Sequence, residues 1–407
     1  MSLNFRSLLG LVIAVFLAAA AECRAKDPVL CGIDVLQRDG FKQLAGQRIG
    51  LITNHTGLTV KGQSTAQLLH SSPDVKLTTL FSPEHGMEGK LDISKIDDGT
   101  DQSTGLKVFS LYGKTRRPTK EMLDGVDIIV FDIQDIGARF YTYVSTMGEA
   151  MHAATEHKKR FVVLDRPNPI NGVDVAGPML DPGKESFVGF HSLPVRHGMT
   201  IGELALMFRK ELKLDLQLEV IPCEGWNRKN FWDATGLQWT NPSPNMRCLT
   251  QALLYPGIGM IETSNISVGR GTDTPFEVIG APWIQSRQLA AALNKQQIPG
   301  VAFVPIEFTP SSSKYVGEQC GGVNIIITDR AQFEPLIVGI AIAASLQKLY
   351  PNDWTGGKAI TLLGNQQTLT AILAGQSVPE IQKQAAMGVD NFQRRRNEFL
   401  LYPAQGQ

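Results

Sequence analysis

Glu84 and His85 stand side by side at the end of an apolar, β-prone run, Thr78-Thr79-Leu80-Phe81-Ser82-Pro83, and Gly86 follows at once. A carboxyl and an imidazole placed together can exchange protons with a bound molecule. Polar groups end other apolar runs in the same way. Asn54 and His55 follow Ile49-Gly50-Leu51-Ile52-Thr53. Asp132, Gln134 and Asp135 follow Ile128-Ile129-Val130-Phe131. Asp165, Arg166 and Asn168 follow Phe161-Val162-Val163-Leu164. Farther on, Glu262, Asn265 and Arg270 lie in a segment too polar for a core and too rich in glycine for a helix. Gly269 and Gly271 flank Arg270, which predicts that the backbone there passes close to something else. For any single Asp or Asn in this set, a helix N-cap or a loop hydrogen bond is the ordinary reading. Chemistry needs several together: proton transfer by Glu84 and a partner, or a divalent metal held by Asp132, Asp135, Asp165, His85 and His55 for phosphoester or amide hydrolysis. The sequence has neither His-x-His nor His-Glu-x-x-His, which weighs against the metal.

A parallel sheet would bring these groups together. The pattern predicts strands at 48–54, 78–82, 126–135 and 160–165, with helices at 64–70 and 144–157 between them. Strands alternating with helices imply right-handed crossovers and mostly parallel pairing. The four polar tips then share one sheet edge, the edge where ligands of such folds bind. The expected fold class is α/β, a mostly parallel sheet with helices on both faces, followed by a smaller α+β domain. Asn241-Pro242-Ser243-Pro244 marks the boundary, giving domains at 26–240 and 241–407. No Gly-x-Gly-x-x-Gly follows the first strand, so the sheet lacks the dinucleotide fingerprint, and it lacks a phosphate loop as well. Thr200 with Glu203 reads as a capping box. Residues 89–105 read as a polar loop that could cover the Glu84 tip. The C-terminal part reads as strands at 301–308 and 322–328, helices at 332–349, 366–374 and 378–399, with Arg394-Arg395-Arg396 on a solvated helix face.

Lys plus Arg and Asp plus Glu balance at 39 each in 407 residues, so no overall field favours nucleic acid or an anionic membrane. Residues 1–25 differ from the rest: Arg6 precedes an apolar run at 8–21 and then small residues, the pattern of a secretory leader. The expectation is an exported protein, periplasmic or extracellular. Glu22 disfavours lipid anchoring through Cys23. Export permits disulfides among Cys31, Cys223, Cys248 and Cys320, of which Cys223 and Cys248 are nearest in sequence. Without a Cys-x-x-Cys pair, none has zinc-site spacing.

Four motifs in order, Phe81-Ser82-Pro83-Glu84-His85-Gly86, the run from Phe131 to Tyr143, Leu164-Asp165-Arg166-Pro167-Asn168-Pro169, and Glu262-Thr263-Ser264-Asn265 through Val268-Gly269-Arg270-Gly271-Thr272, resemble the bacterial exo-β-N-acetylmuramidases of the NamZ type. The likeness runs from about residue 32 to the C-terminus. It implies a Rossmann-like domain, a smaller second domain and a site in the cleft between them. It also implies hydrolytic release of terminal N-acetylmuramic acid from the non-reducing end of peptidoglycan fragments, with no cofactor. Glycoside hydrolysis needs a protonated acid at the leaving oxygen and usually a second carboxylate. Glu84, beside apolar Phe81 and Pro83, is the first choice for the acid. Glu262, Asp132 and His85 are candidates for the second role, His85 equally as a group that orients Glu84. Arg270 and Arg139 suit the lactyl carboxylate of muramic acid, because a guanidinium can hold a carboxylate with two parallel bonds. Both also read as structural ion-pair partners of Asp132 or Glu262. Tyr141 and Tyr143 offer a sugar-stacking face or core packing. Asn54, Gln134, Asp135, Asp165, Arg166, Asn168 and Asn265 are candidates for substrate hydroxyls and amides. A non-catalytic muropeptide-binding protein is the remaining alternative.

Overall fold

The computed structural model describes residues 27–402. The leader read at residues 1–25, with Cys23, lies outside them. Arg48–Thr53 (β1), Lys76–Ser82 (β2), Gly99–Thr100 (β3), Lys107–Ser110 (β4), Ile128–Asp132 (β5) and Arg160–Leu164 (β6) lead to a hairpin of Ala176–Met179 (β7) and Pro194–Arg196 (β8), then Leu218–Ile221 (β9). All but the hairpin join one seven-stranded sheet in the order β3-β4-β2-β1-β5-β6-β9. Only the β3–β4 pairing is antiparallel. The parallel strands alone run third, second, first, fourth, fifth, sixth, the doubly wound Rossmann order. Strands buried on both faces need no polar alternation. Every residue of β5 is accordingly buried.

The helices behave as their sequences ask. Ala66, Leu68 and Leu69 bury one face of helix Thr65–Ser71. Tyr143–Glu156 turns most of its residues into the core. Thr200 accepts from Glu203 N, and Glu203 returns a bond to Thr200 N, so the expected capping box forms at helix Ile201–Glu211.

After helix Leu249–Ile258 come Val278–Ala281 (β10), Val301–Phe308 (β11) and Cys320–Ile327 (β12), an antiparallel sheet in the order β10-β12-β11, with helix Ser286–Asn294 against β11 and β12 and helix Pro335–Leu349 against helices Ser286–Asn294 and Leu249–Ile258. One continuous apolar cluster joins the two sheets, containing Phe81 and Phe131 from the first and Val323, Ile325 and Ile340 from the second region. Two expectations need correction. The single helix read at 378–399 is two, Val378–Ala385 and Val389–Arg396, broken at Gly388 with φ +86°. Its arginines are not all solvated: Arg396 is buried and donates to Gly172 O and Gly198 O, while Arg395 pairs with Glu211 at 2.7 Å.

Candidate active site

β2 carries the chain into the sheet's C-terminal edge, and Pro83 ends it because a proline has no amide to continue the ladder. His85 then takes φ +70°, a conformation uncommon outside glycine and one that concentrates at functional sites. Its ring is buried, and Nδ1 donates to Leu91 O at 2.7 Å. A carbonyl can only accept, so Nδ1 carries the hydrogen and, in the neutral ring, Nε2 is the acceptor.

Glu84 accepts a hydrogen bond at Oε2 from the Thr142 hydroxyl. Tyr112 lies near, its phenol pushed up to about 12 by burial and by the Glu84 charge. Burial also raises Tyr141 and Tyr255, both of which feel Glu84 as well. The Glu84 carboxyl thus faces a wall of neutral phenols.

Glu84, His85, Tyr141, Thr142 and Tyr143 form one side of a cavity of about 670 Å³. Tyr255, Glu262, Arg270, Phe276 and Lys314 form the other, so the cavity lies between the parallel sheet's edge and the C-terminal region. Arg270 Nε donates to Glu262, Nη1 lies 3.7 Å from Asp92, and the guanidinium sits 5.3 Å from the Phe276 ring centre. Burial would lower the Arg270 pKa, but the Glu262 charge outweighs it and holds it above the ordinary value. Lys314 donates to the backbone carbonyls of Glu262 and Ser264, and burial lowers its pKa. The glycines around Arg270 are where close approach demands them. Gly269 and Gly271 have φ of +79° and +83°, and a Cβ on Gly271 would lie 2.4 Å from Ser312 O.

A second, polar groove of about 510 Å³ shares Asp92 and Ser312 with the cavity. Arg247, Asp273 and Phe308 line it. Asn245 donates to Asp92 at 3.0 Å and fixes the boundary between the two. Asp92 belongs to the loop read at 89–105, which therefore covers part of the site beside the Glu84 tip.

Of the residues expected to act, the structure brings Glu84, His85, Tyr141, Glu262 and Arg270 together. Tyr143 lines it too, but the remaining candidates do not, and their hydrogen bonds say why. Asp132 is fully buried, takes Arg166 bidentately at 2.6 and 3.0 Å and accepts from Thr65 at 2.5 Å. Burial would lower the Arg166 pKa, and Asp132 reverses it. This ion pair sits beside the β1/β5 switch point, where a dinucleotide would lie in other doubly wound sheets. Asn54 accepts from the Thr56 amide and hydroxyl and donates to Tyr143 OH, one layer behind the cavity wall. Gln134 donates to Asp135 O and Pro167 O.

Asp165 accepts from Thr200, Gly202 N and the Tyr402 hydroxyl, so it caps a helix and anchors the C-terminal segment. Burial raises it to about 6. Asn168 bridges Met199 O and Ile170 N. Asn265 ties Asp353 O to Thr355 N. Asp135 accepts from Gly137 N at 2.7 Å and is pushed up to about 7 by burial. His197 lies 3.8 Å from it and is pushed down to about 3, again by burial.

Arg139 is the largest departure from expectation. It meets neither Asp132 nor Glu262. Its guanidinium instead donates to four carbonyls, Pro178 O, Leu193 O, Leu362 O and Leu363 O, at 2.7–3.0 Å. Leu362 and Leu363 end the short helix Ile360–Leu363, whose last carbonyls have no partner within the helix. Burial pushes the Arg139 pKa down to about 9.

Sequence reasoning missed Thr142, Tyr255, Lys314 and Asp92. Thr142 lies inside a quoted motif, and its spacing one residue from two tyrosines was the available signal. Lys314 follows three serines and reads locally as a solvated loop. Among the described residues no group of three His, Cys, Asp or Glu is placed to hold a metal ion, and Asp132, Asp135 and Asp165 each answer to different partners.

Residues 49–250 match the family described as Exo-beta-N-acetylmuramidase NamZ, N-terminal, and residues 253–402 its C-terminal counterpart. The Peptidoglycan beta-N-acetylmuramidase NamZ of Bacillus subtilis (strain 168) is 46% identical over 383 residues, 93% of this chain and 92% of that protein. Two crystallised DUF1343 family proteins of Bacteroides fragilis share the fold. One has TM-score 0.87 and 37% identity, covering 93% of this chain and 100% of its own. The other has TM-score 0.75 and 29% identity, covering 92% and 99%. The chain belongs to the NamZ exo-β-N-acetylmuramidase family.

Proposed function

We propose that the chain is an exo-acting glycoside hydrolase that releases terminal N-acetylmuramic acid from the non-reducing end of peptidoglycan fragments, and that the cavity between Glu84 and Arg270 is where it does so. Family membership supports the reaction. The observation that carries the site is Glu84: a carboxyl at a strand tip, oriented by Thr142, inside a cavity that it shares with the phenols of Tyr141, Tyr143 and Tyr255 and the guanidinium of Arg270. Glu84 would give its proton to the departing glycosidic oxygen. Glu262 stands across the cavity as the second carboxylate, and His85, with Nε2 free to accept, is the other group able to take a proton from water. Asp132 has no such freedom, since Arg166 and Thr65 occupy its oxygens. Arg270 and Lys314 supply positive charge for the lactyl carboxylate. The groove beyond Asp92, with the Phe308 ring and mixed polar groups, would receive the departing part of the chain. Its acidic residues, Asp92 and Asp273 against Arg247, suit a neutral N-acetylhexosamine better than an acidic peptide stem. Export follows from the leader read at residues 1–25 and would put the enzyme beside its polymer.

The test is a pair of chromogenic glycosides. Hydrolysis of the N-acetylmuramide and not of the N-acetylglucosaminide supports this function. Hydrolysis of neither across the pH range rejects it, and tight binding of an intact muramyl disaccharide without turnover would indicate a binding protein. Loss of activity on adding a chelator would restore the metal reading.

A further inference from the structure

Leu30 and Glu224 exchange both backbone hydrogen bonds, Leu30 N to Glu224 O at 3.0 Å and Glu224 N to Leu30 O at 2.9 Å, as an isolated antiparallel pair. One step along that register, Cys31 faces Cys223. In antiparallel chains the position next to a doubly bonded pair is the closer one, with Cα atoms about 4.5 Å apart and side chains on the same face. That lies within the span of about 4.4–6.8 Å that a disulfide bridges. The amides fit this position. Cys31 N donates to Asp34 Oδ2 and Cys223 N to the Tyr402 hydroxyl, each at 2.9 Å, and neither bonds across the pair. The two chain segments also converge on one carbonyl: Gly32 N, next to Cys31, lies 2.9 Å and Cys223 Sγ 3.2 Å from Asp165 O. Both thiols are buried and free in this structure. The Cys223 thiol is raised by burial and then by Cys31 beside it. Cys248 points instead to Glu277, 3.9 Å away, and Cys320 to Glu318 O at 3.7 Å, so the pair nearest in sequence is not the pair nearest in space.

We propose that Cys31 and Cys223 form a disulfide when the protein folds in an oxidising compartment, an inference that rests on the proposed export. The oxidant is a disulfide, either of a thiol oxidoreductase or of glutathione. One cysteine thiolate attacks an oxidant sulfur, forming a mixed disulfide and expelling the first oxidant thiolate. The other cysteine thiolate attacks the protein sulfur of that mixed disulfide, forming the Cys31–Cys223 bond and expelling the second. Two electrons pass to the oxidant, and the two cysteine protons end on its two thiols. In the native fold Tyr402 lies over this place, its ring 4.9 Å from Trp226, so exchange belongs to the stage before the C-terminal segment docks. The bond would fasten the start of the N-terminal domain to the turn after its last parallel strand.

The experiment is alkylation and peptide mapping of the denatured full chain, isolated from an oxidising compartment and, in a second arm, refolded from the reduced state with glutathione disulfide. The expected map shows a Cys31–Cys223 linkage with Cys248 and Cys320 alkylated. The melting temperature should be several degrees above that of the reduced protein, a difference absent from C31S and C223S. Alkylation of all four cysteines after glutathione refolding, or linkage of Cys31 or Cys223 to another cysteine, overturns the pairing. The mapping uses the unmutated chain and stays decisive if either serine variant misfolds. A linkage in the refolded arm alone supports the pairing and counts against export.

Discussion

The Thr142 hydroxyl donates to Glu84 Oε2 across 58 residues of sequence, joining the tip of β2 to the start of helix Tyr143–Glu156. A hydrogen bond to a charged or charge-developing group contributes about 1.5–3 kcal/mol. T142V should therefore lower kcat roughly 10- to 100-fold on a chromogenic N-acetylmuramide, with T142S restoring most of it. E84Q should fold, bind and lose about 10²- to 10⁴-fold in kcat, the usual worth of a general acid. Near-normal turnover by E84Q would remove Glu84 from the chemistry.

Arg270 holds Glu262 on one side and faces the cavity on the other. R270K keeps the charge and loses the planar fork. The expected result is a rise in KM for muramic substrates well beyond that for analogues lacking the lactyl group. Equal losses on both would assign Arg270 to the Glu262 pair alone.

Phe308 lines the groove that meets the cavity at Asp92 and Ser312. F308A should raise KM for a muramyl oligosaccharide about three- to tenfold, within the range for one lost ring contact, and leave a small chromogenic muramide unchanged. A matching loss on the small substrate would mean the ring supports the cavity itself.

Arg139 carries a buried charge satisfied by carbonyls from the β7–β8 hairpin and from the end of helix Ile360–Leu363. R139M leaves those carbonyls without a donor, and destabilisation of about 3–5 kcal/mol is expected from the loss of such a buried network. Thermal unfolding reads it directly. A change below 1 kcal/mol would mean other groups satisfy the four carbonyls.

Asp135 is raised to about 7 from 3.8, so between those values the folded state holds more protons than the unfolded. Its contribution to stability is present at low pH and declines as pH rises toward 7. His197, lowered to about 3 from 6.5, works the opposite way, costing stability as pH falls through that window. D135N keeps an acceptor for Gly137 N and removes the buried charge. It should stabilise at pH 8 by on the order of 1–3 kcal/mol more than at pH 5, and a gain independent of pH would refute the assignment.

The parallel sheet was legible because buried strands such as Ile128–Asp132 announce themselves by continuous apolar residues. β4 was not, since a strand of four residues after a polar loop has too little periodicity. Asn54, Asp132 and Asp165 do sit at neighbouring strand ends, as the alternation implied. Which polar groups stay free is a different matter, settled by partners far away in sequence. Thr65 and Arg166 claim Asp132, and Tyr402 reaches back to Asp165. Glu84 is bonded by a hydroxyl and no counter-charge, so it alone of these strand-end acids opens to the cavity. The far wall was half visible, through Glu262 and Arg270, and half hidden, because Lys314 gains its meaning only when its loop folds back on Glu262.

The four carbonyls around Arg139 belong to segments far apart in the chain, Pro178 and Leu193 with the β7–β8 hairpin and Leu362 and Leu363 with the C-terminal helices. A single side chain thereby ties the hairpin to the C-terminal helices, one of whose residues, Leu362, also lines the cavity. That part of the cavity wall is set in place before a saccharide arrives. The ordering cost that a hinged clamp would meet at each encounter falls here once, during folding.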